Sequence, residues 1–127
     1  MRVFEQYDTG RLILPNGKKE FDQVPWSKHT IFEGVELKHI VTSKETEGRF
    51  SYHLIRIAPH CSIGKHIHEN QLETHEVMEG SGECINSGVI IPYQVGTISI
   101  FPAEVEHEVK AGVQGLSFFA KFIPALC

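Results

Sequence analysis

The chain has 127 residues, of which 41% are hydrophobic and 22% charged, a composition typical of one folded domain rather than a disordered segment. Its formal net charge of −4 comes from 12 basic and 16 acidic residues. No basic run occurs, so we expect neither nucleic acid nor a membrane surface as a partner.

The N-terminus lacks the apolar segment of a signal peptide, and no apolar run is long enough to cross a membrane. The three cysteines, Cys61, Cys84 and Cys127, are far apart and have no Cys-x-x-Cys spacing. Neither a disulfide framework nor a thiolate zinc site is indicated. We therefore expect a cytoplasmic protein with free thiols.

Residues 1–33 are interpreted as an N-terminal extension that packs on the main domain or on a partner subunit. Most of it is predicted to be irregular, with a short apolar run, Leu12 to Leu14, closed by the turn residues Pro15-Asn16-Gly17. Trp26 is expected to be a structural aromatic that packs on the domain or at a subunit boundary.

Residues 34–127 follow a β pattern. Turn residues recur every eight to twelve positions and no 3.6-residue apolar period is present, which favours a β-sandwich or barrel. The loop from Ser43 to Gly48 is expected to join the first two strands. The predicted strands are Val35 to Thr42, Phe50 to Ala58, Glu73 to Glu79, Glu83 to Ile85, Val89 to Tyr93, Thr97 to Phe101, His107 to Lys110 and Leu116 to Ile123.

The stretch from Pro59 to Gly80 carries the first candidate metal ligands. His66 and His68 are two residues apart and project from the same side of an extended backbone. Glu73 follows five residues after His68, and the polar loop between them can reset the register so that the carboxylate joins the imidazoles.

Two stretches together resemble the paired motifs of the cupin superfamily. The first motif is matched by His66, His68, Glu73 and Gly80, and the second by Gly96, Pro102 and His107. Two turn glycines of the motifs are replaced, one by His60 and one by Glu104. Neither change removes a ligand, and both are turn positions, where a residue other than glycine can require a different local conformation.

The resemblance implies an all-β fold, a double-stranded β-helix or jelly-roll barrel over residues 34–127, with a metal inside one end. It adds His107 as the fourth ligand, beside His66, His68 and Glu73. It also implies a homodimer, for which the N-terminal region and the strand from Leu116 to Ile123 would supply the surface.

Three imidazoles and one carboxylate suit a single divalent transition metal ion. Four protein ligands would saturate tetrahedral zinc, whereas an octahedral ion would keep two positions open for substrate, water or dioxygen. Iron, manganese or nickel is therefore favoured over zinc, cobalt or copper.

Other histidines are assigned by strand alternation. If Glu73 faces the interior, His75 and Val77 do too, and His75 becomes a candidate to support the metal ligands or act as general base; a buried histidine that fills space is the alternative. His53 faces inward only if Ser51 and Ile55 do, which the sequence leaves open. No site role is assigned to His29 or His39. His60 is expected at a solvent-exposed turn, the alternative being a position near the barrel mouth. Cys61 and Cys84 are assigned no role: an interior thiol could touch the metal or a substrate, but a small buried hydrophobe is the usual explanation for a strand cysteine.

The primary functional hypothesis is a mononuclear metalloenzyme that acts on a small organic molecule by dioxygenase, decarboxylase, isomerase or lyase chemistry. The alternatives are a non-catalytic sensor barrel that binds a small molecule or metal, and a storage or structural barrel with a vestigial site. A DNA-binding segment is absent from the sequence, so a sensor would need a separate protein partner.

Overall fold

The computed structural model describes residues 1–127 and consists mainly of β-strands. Two short helices, α1 (Val3–Asp8) and α2 (Ser43–Thr46), and a single 3₁₀ turn (Phe21–Gln23) complete the secondary structure. Neither helix has the length and apolar character needed to cross a membrane. The strands are β1 (Arg11–Leu14), β2 (Gly17–Glu20), β3 (Ser27–Lys28), β4 (Val35–Val41), β5 (Ser51–Ile57), β6 (Ser62–His66), β7 (Leu72–Asn86), β8 (Val89–Gln94), β9 (Ile98–Phe101) and β10 (His107–Ile123).

The strands form an antiparallel jelly-roll barrel, which confirms the predicted fold class. The main sheet runs β3-β4-β5-β10-β7-β8, with β6 paired to β10 and β9 paired to β7. The first part of β10 lies between β6 and the end of β7, whereas its second part lies between β5 and the start of β7. The two long strands therefore belong to both walls of the barrel.

Two predicted strand breaks are wrong, because β7 and β10 are continuous where the sequence suggested turns. Register shifts occur in β10 between Ala111 and Leu116, opposite the bend of β7 at Gly80. Gly80 has a φ of 79°, and a Cβ atom there would lie 2.1 Å from the carbonyl oxygen of Gly115. Glycine therefore bends a strand that crosses from one wall to the other instead of ending it.

Two segments predicted to be irregular contain regular structure. The loop from Ser43 to Gly48 includes α2, which begins at a capping box in which Thr42 and Glu45 each bind the other's backbone N–H. The N-terminal region contains α1 and the hairpin β1-β2, whose turn lies at Pro15 and Asn16 as predicted. β6 was not among the predicted strands and carries His66 at its end.

Two apolar clusters lie on opposite faces of the wall formed by β4, β5 and β10. The barrel interior holds fourteen buried residues, among them Ile55, Val77 and Phe118. On the outer face, Phe4 and Phe21 from the N-terminal region pack with Ile40, Leu54 and Phe119. Phe4 and Phe21 thus lie against the outside of the barrel wall, and β3 joins its sheet through the pairing with β4, whereas Phe32 packs against the interior cluster.

Trp26 packs on the body of the domain. Its indole Nε1 donates a hydrogen bond to Asp8 Oδ1 at 3.0 Å, and the Arg56 guanidinium lies 3.9 Å from the ring centroid. Asp8 also accepts from the ammonium group of Lys38 at 2.6 Å, and the Lys38 side chain is only 4% exposed. These polar contacts attach the N-terminal region to β4 and β5.

Candidate metal centre

Three side chains with metal-binding atoms converge inside the barrel. His66 ends β6, Glu73 lies near the start of β7 and His107 begins β10. His66 and His107 are register partners in the β6–β10 pair, so they project from the same face. One ligand atom from each of the three residues lies within 4.8 Å of the others.

Glu73 and His107 each leave a buried polar atom without a hydrogen bond. Glu73 Oε1 and His107 Nε2 are 3.0 Å apart, close enough for ionic attraction. The direction of approach is not that of a hydrogen bond, so neither buried atom has a partner. Buried polar atoms are rarely left in this state, and orphaned donors and acceptors often mark a bound ion.

His68 lies at the rim of this group rather than among its three closest members. Its Nε2 atom is 3.6 Å from Glu73 Oε1, and its side chain is 25% exposed compared with 4% for Glu73. The polar loop between His68 and Glu73 turns the backbone so that these two side chains lie within contact distance. His68 is therefore the candidate ligand nearest to solvent.

His75 lies behind Glu73 and is almost completely buried. Its Nε2 atom is 2.7 Å from Glu73 Oε2, and its Nδ1 atom is 2.9 Å from the hydroxyl group of Tyr93. Both ring nitrogens are thus engaged. This arrangement favours a positioning role over direct proton transfer to a substrate.

Burial sets the protonation states around the centre. Burial lowers the pKa of His66 and that of His68, so both imidazoles are neutral at pH 7. Burial alone would raise the pKa of Glu73, but its contacts with His107 and His75 lower that pKa below its ordinary value. Burial alone would lower the pKa of His107, but Glu73 raises it.

Aromatic rings form the apolar wall of the centre. Phe101 stacks on His107, with ring centroids 4.2 Å apart and planes inclined by 13°. The Phe122 ring contacts both His68 and His53, with centroids 4.9 Å and 5.5 Å away. Such rings fix the imidazole orientations and exclude water from the interior.

A second histidine pair lies beyond Phe122. Ser51, His53 and Ile55 are all buried and face the interior. The sequence alone did not show which set of alternating residues in β5 points inward. His53 is opposite His39 in the β4–β5 register, and their Nδ1 atoms are 2.7 Å apart. Burial lowers the pKa of His53 to about 3.

Three residues of these clusters were given no role by sequence reasoning: His39, Tyr93 and Cys127. Alternation in β4 could have placed His39 on the same face as Val35, and the spacing of Tyr93 in β8 fits an inward side chain. Cys127 carries no local signal, because its position depends on contacts with residues far away in sequence.

The two residues that replace motif glycines keep glycine-like backbones. His60 has a φ of 62° and Glu104 has a φ of 69°, both in the left-handed region. His60 is exposed at a turn, and Glu104 donates its backbone N–H to the carbonyl oxygen of His68. The turn after Pro102 therefore supports the backbone next to a candidate ligand.

A cavity lined by none of these histidines lies elsewhere in the chain. Its volume is about 750 Å³, and it is lined by Phe32, Arg56, Cys61, Glu79 and Leu116 among others. None of the four candidate ligands lines it. The side chains with metal-binding atoms meet in the buried ligand cluster and not in this cavity, so the cluster is the candidate functional site.

Comparison with protein families identifies a domain in this chain. The family model for the Cupin domain matches residues 53–115, which include all four candidate ligands. No curated protein matches the sequence.

Solved structures share the fold at low sequence identity. A predicted oxalate decarboxylase from Thermotoga maritima superposes with a TM-score of 0.74 at 20% identity, covering 81% of this chain and 95% of that one. An RmlC-like cupin from Shewanella frigidimarina gives 0.73 at 18% identity, covering 85% and 90%. Ectoine synthase from P. lautus gives 0.75 at 18% identity, covering 91% and 80%. The family match, the barrel and the two motifs together show that this chain contains a cupin domain.

Proposed function

We propose that this cupin binds one divalent transition metal ion and acts as a mononuclear metalloenzyme on a small organic molecule. The observation that carries the proposal is the convergence of His66, Glu73 and His107, whose ligand atoms lie within 4.8 Å of one another. His68 completes the proposed ligand set from the rim, 3.6 Å from the same carboxylate.

The residues present fit such an ion. Glu73 Oε1 and His107 Nε2 are buried, lack hydrogen-bond partners and face each other, as expected for atoms that share a cation. The set of imidazoles and one carboxylate suits first-row divalent metals, among which we propose iron, manganese or nickel over zinc. When bound, the ion would supply Lewis-acid polarisation of a substrate oxygen, or redox chemistry if it is iron.

The chain's own side chains prepare the site in distinct ways. Glu73 remains ionised because its contacts with His107 and His75 lower its pKa, so it contributes a full negative charge. His75 holds Oε2 of that carboxylate and leaves Oε1 directed at the metal position. His68 is the exposed member, so substrate is expected to approach from its side.

Substrate chemistry is proposed at the level of class. Small carboxylates, enediols and carbonyl compounds present oxygen atoms that a metal ion can bind. The related structures include a predicted oxalate decarboxylase and an ectoine synthase, which shows that this fold hosts different reactions. We therefore propose the reaction class, a metal-dependent transformation of a small oxygen-rich molecule, and leave the individual substrate to experiment.

The test measures metal binding before activity. The full chain is purified without added metal, analysed for metal content and by electron spin resonance, and then titrated with Mn²⁺, Fe²⁺ and Ni²⁺. His66→Ala and Glu73→Gln are expected to weaken binding more than about 100-fold, beyond the 10–100-fold typical of residues that only support ligands. His60→Asn, an exposed histidine outside the cluster, is the matched control.

Activity is then followed by oxygen uptake and product analysis with a panel of small carboxylic acids, enediols and phenols. Metal-dependent turnover that Glu73→Gln abolishes would support the enzyme. Tight metal and ligand binding without turnover would support the sensor instead. A folded chain that binds none of the metals would contradict both proposals and favour the vestigial barrel.

Two further expectations stay predictions: a cytoplasmic location and a homodimer. On the predicted dimer surface, Phe119 of β10 packs against the N-terminal region, while Ile123 and Val3 are 48% and 55% exposed. Exposed apolar side chains also lie on β9, where Ile98 is 66% and Ile100 is 61% exposed. We propose that two chains pair through the β9 face. Light scattering should then show a dimer for the wild type and a monomer for Ile98→Glu.

A further inference from the structure

A second cluster of metal-binding side chains extends from the buried His53 to the exposed Cys127 and plays no part in the proposed function. It consists of His39 on β4, His53 on β5 and Cys127 at the end of the segment after β10. A ring nitrogen of each histidine and the thiol sulfur of Cys127 all lie within 4.8 Å of one another. The two imidazole rings meet edge to face with centroids 4.8 Å apart.

The position of each histidine is fixed by the sheet. His39 and His53 are opposite each other in the β4–β5 pair, so both side chains emerge on the same face. His53 has no exposed surface, whereas His39 is partly exposed at the edge of the cluster. His53 is therefore enclosed by its neighbours, whereas His39 has solvent on one side.

The segment after β10 is tied down next to the histidines. Leu126 donates its backbone N–H to Ser51 Oγ at 2.8 Å, and the Cys127 carbonyl oxygen accepts from Ser43 at 2.7 Å. Ala125 donates to the carbonyl oxygen of Gly48 at 3.0 Å. These bonds hold the Cys127 thiol beside the imidazoles.

Ser51 also orients His53 as a metal ligand. Its Oγ atom lies 2.7 Å from His53 Nε2. When Nε2–H donates to that oxygen, the lone pair of Nδ1 is directed at His39 and the thiol. A histidine that ligates through one nitrogen commonly donates the other N–H to such a neighbour.

This cluster shares no residue with the candidate metal centre, although both contact Phe122. The Phe122 ring lies 5.5 Å from that of His53 and 4.9 Å from that of His68. The donor sets also differ in kind. The first contains only nitrogen and oxygen, whereas the second contains a thiol, which selects softer metals.

We propose that His39, His53 and Cys127 form a second site for a thiophilic divalent ion, zinc in preference, separate from the centre at Glu73. Two nitrogens and one sulfur supply three ligands and leave a fourth tetrahedral position for water. Because zinc–nitrogen bonds of 2.0–2.1 Å place two ligand nitrogens about 3.3 Å apart, the present 2.7 Å separation has to widen by roughly 0.6 Å. The partly exposed ring of His39 supplies that movement.

Cobalt reports on this site without interference from the first. The full chain, kept reduced and stripped of metal by a chelator, is titrated with Co²⁺. A thiolate ligand gives an intense ligand-to-metal charge-transfer band, which a centre of imidazoles and carboxylate lacks. The wild type should show this band, and Zn²⁺ should remove it by displacement.

Matched variants assign the band to its ligands. Cys127→Ser should abolish it, and His39→Ala should weaken Co²⁺ binding at this site at least about 10-fold, while Cys61→Ser, a thiol elsewhere in the chain, should leave it intact. Glu73→Gln should also leave it intact, which separates this site from the proposed catalytic centre. Absence of the band in the folded wild type, or its persistence in Cys127→Ser, would overturn the proposal.

Discussion

His75 Nε2 lies 2.7 Å from Glu73 Oε2, so this histidine holds the oxygen of the carboxylate that does not face His107. Tyr93 continues the chain of contacts through His75 Nδ1. A carboxylate fixed in this way can present its other oxygen to a metal ion without losing side-chain freedom on binding.

We therefore expect His75→Leu to lower metal affinity about 10–100-fold while the stoichiometry stays unchanged. His75→Gln should recover part of the loss, because its amide can still donate to Glu73. Chelator competition measures both affinities. Tyr93→Phe is the control, since it removes only the outer contact, and a wild-type affinity in His75→Leu would contradict the positioning role.

The left-handed backbone at His60 predicts a stabilising substitution. A side chain at a φ of 62° costs about 1–2 kcal/mol relative to glycine, part of which is offset by the greater freedom of glycine in the unfolded chain. We expect His60→Gly to raise the free energy of unfolding by about 0.5–1 kcal/mol.

Urea denaturation of His60→Gly checks this value. Lys65→Gly is the comparison, because Lys65 is an exposed residue of β6 with an ordinary strand backbone, where glycine should destabilise. Equal destabilisation by both substitutions would show that the left-handed backbone at residue 60 stores no strain.

The buried ammonium group of Lys38 depends on Asp8. The two charges are 2.6 Å apart, and the lysine side chain is 4% exposed. Asp8→Ala leaves that charge in a nearly dry position, so we expect a loss of about 2–3 kcal/mol in the free energy of unfolding.

The double variant Asp8→Ala, Lys38→Met removes the unpaired charge and should regain more than about 1 kcal/mol of that loss. The bond from Trp26 to Asp8 is broken in both variants, so the difference reports on the unpaired charge, less the hydrogen bond that Lys38 Nζ still donates to the backbone carbonyl oxygen of residue 8. If the loss in the double variant equals the sum of the losses in Asp8→Ala and Lys38→Met, the two side chains do not stabilise each other.

Cys84 should be the protected thiol of the three. It has no exposed surface, so a reagent cannot reach it. Burial also raises the pKa of its thiol, so little of the reactive thiolate form is present. Cys127 is exposed. In the native, metal-free protein, peptide mapping after treatment with iodoacetamide should find Cys127 alkylated and Cys84 unmodified, and urea should make Cys84 reactive. Rapid labelling of native Cys84 would mean that the barrel opens locally at β7.

Local sequence determined the β class and most strand positions, because turn residues and alternation act over a few residues. It also determined where His66, His68, Glu73 and His107 stand, because the spacing of a motif is local to a strand and its turn. The geometry that now surrounds these residues supports the ligand set, which stays a proposal until metal binding is measured.

Tertiary structure decided the features that depend on distant pairing. Gly80 bends β7 instead of ending it. Glycine is required there because the carbonyl oxygen of Gly115 approaches from another strand and leaves no room for a Cβ atom. The parity of His53 was set by its pairing with β4 and β10. Cys127 reaches His39 and His53 only because the last residues bond to Ser43 and Ser51, more than seventy positions earlier. Contacts between residues so far apart in sequence leave no pattern in a short stretch of the chain, so only the folded structure shows that these residues meet.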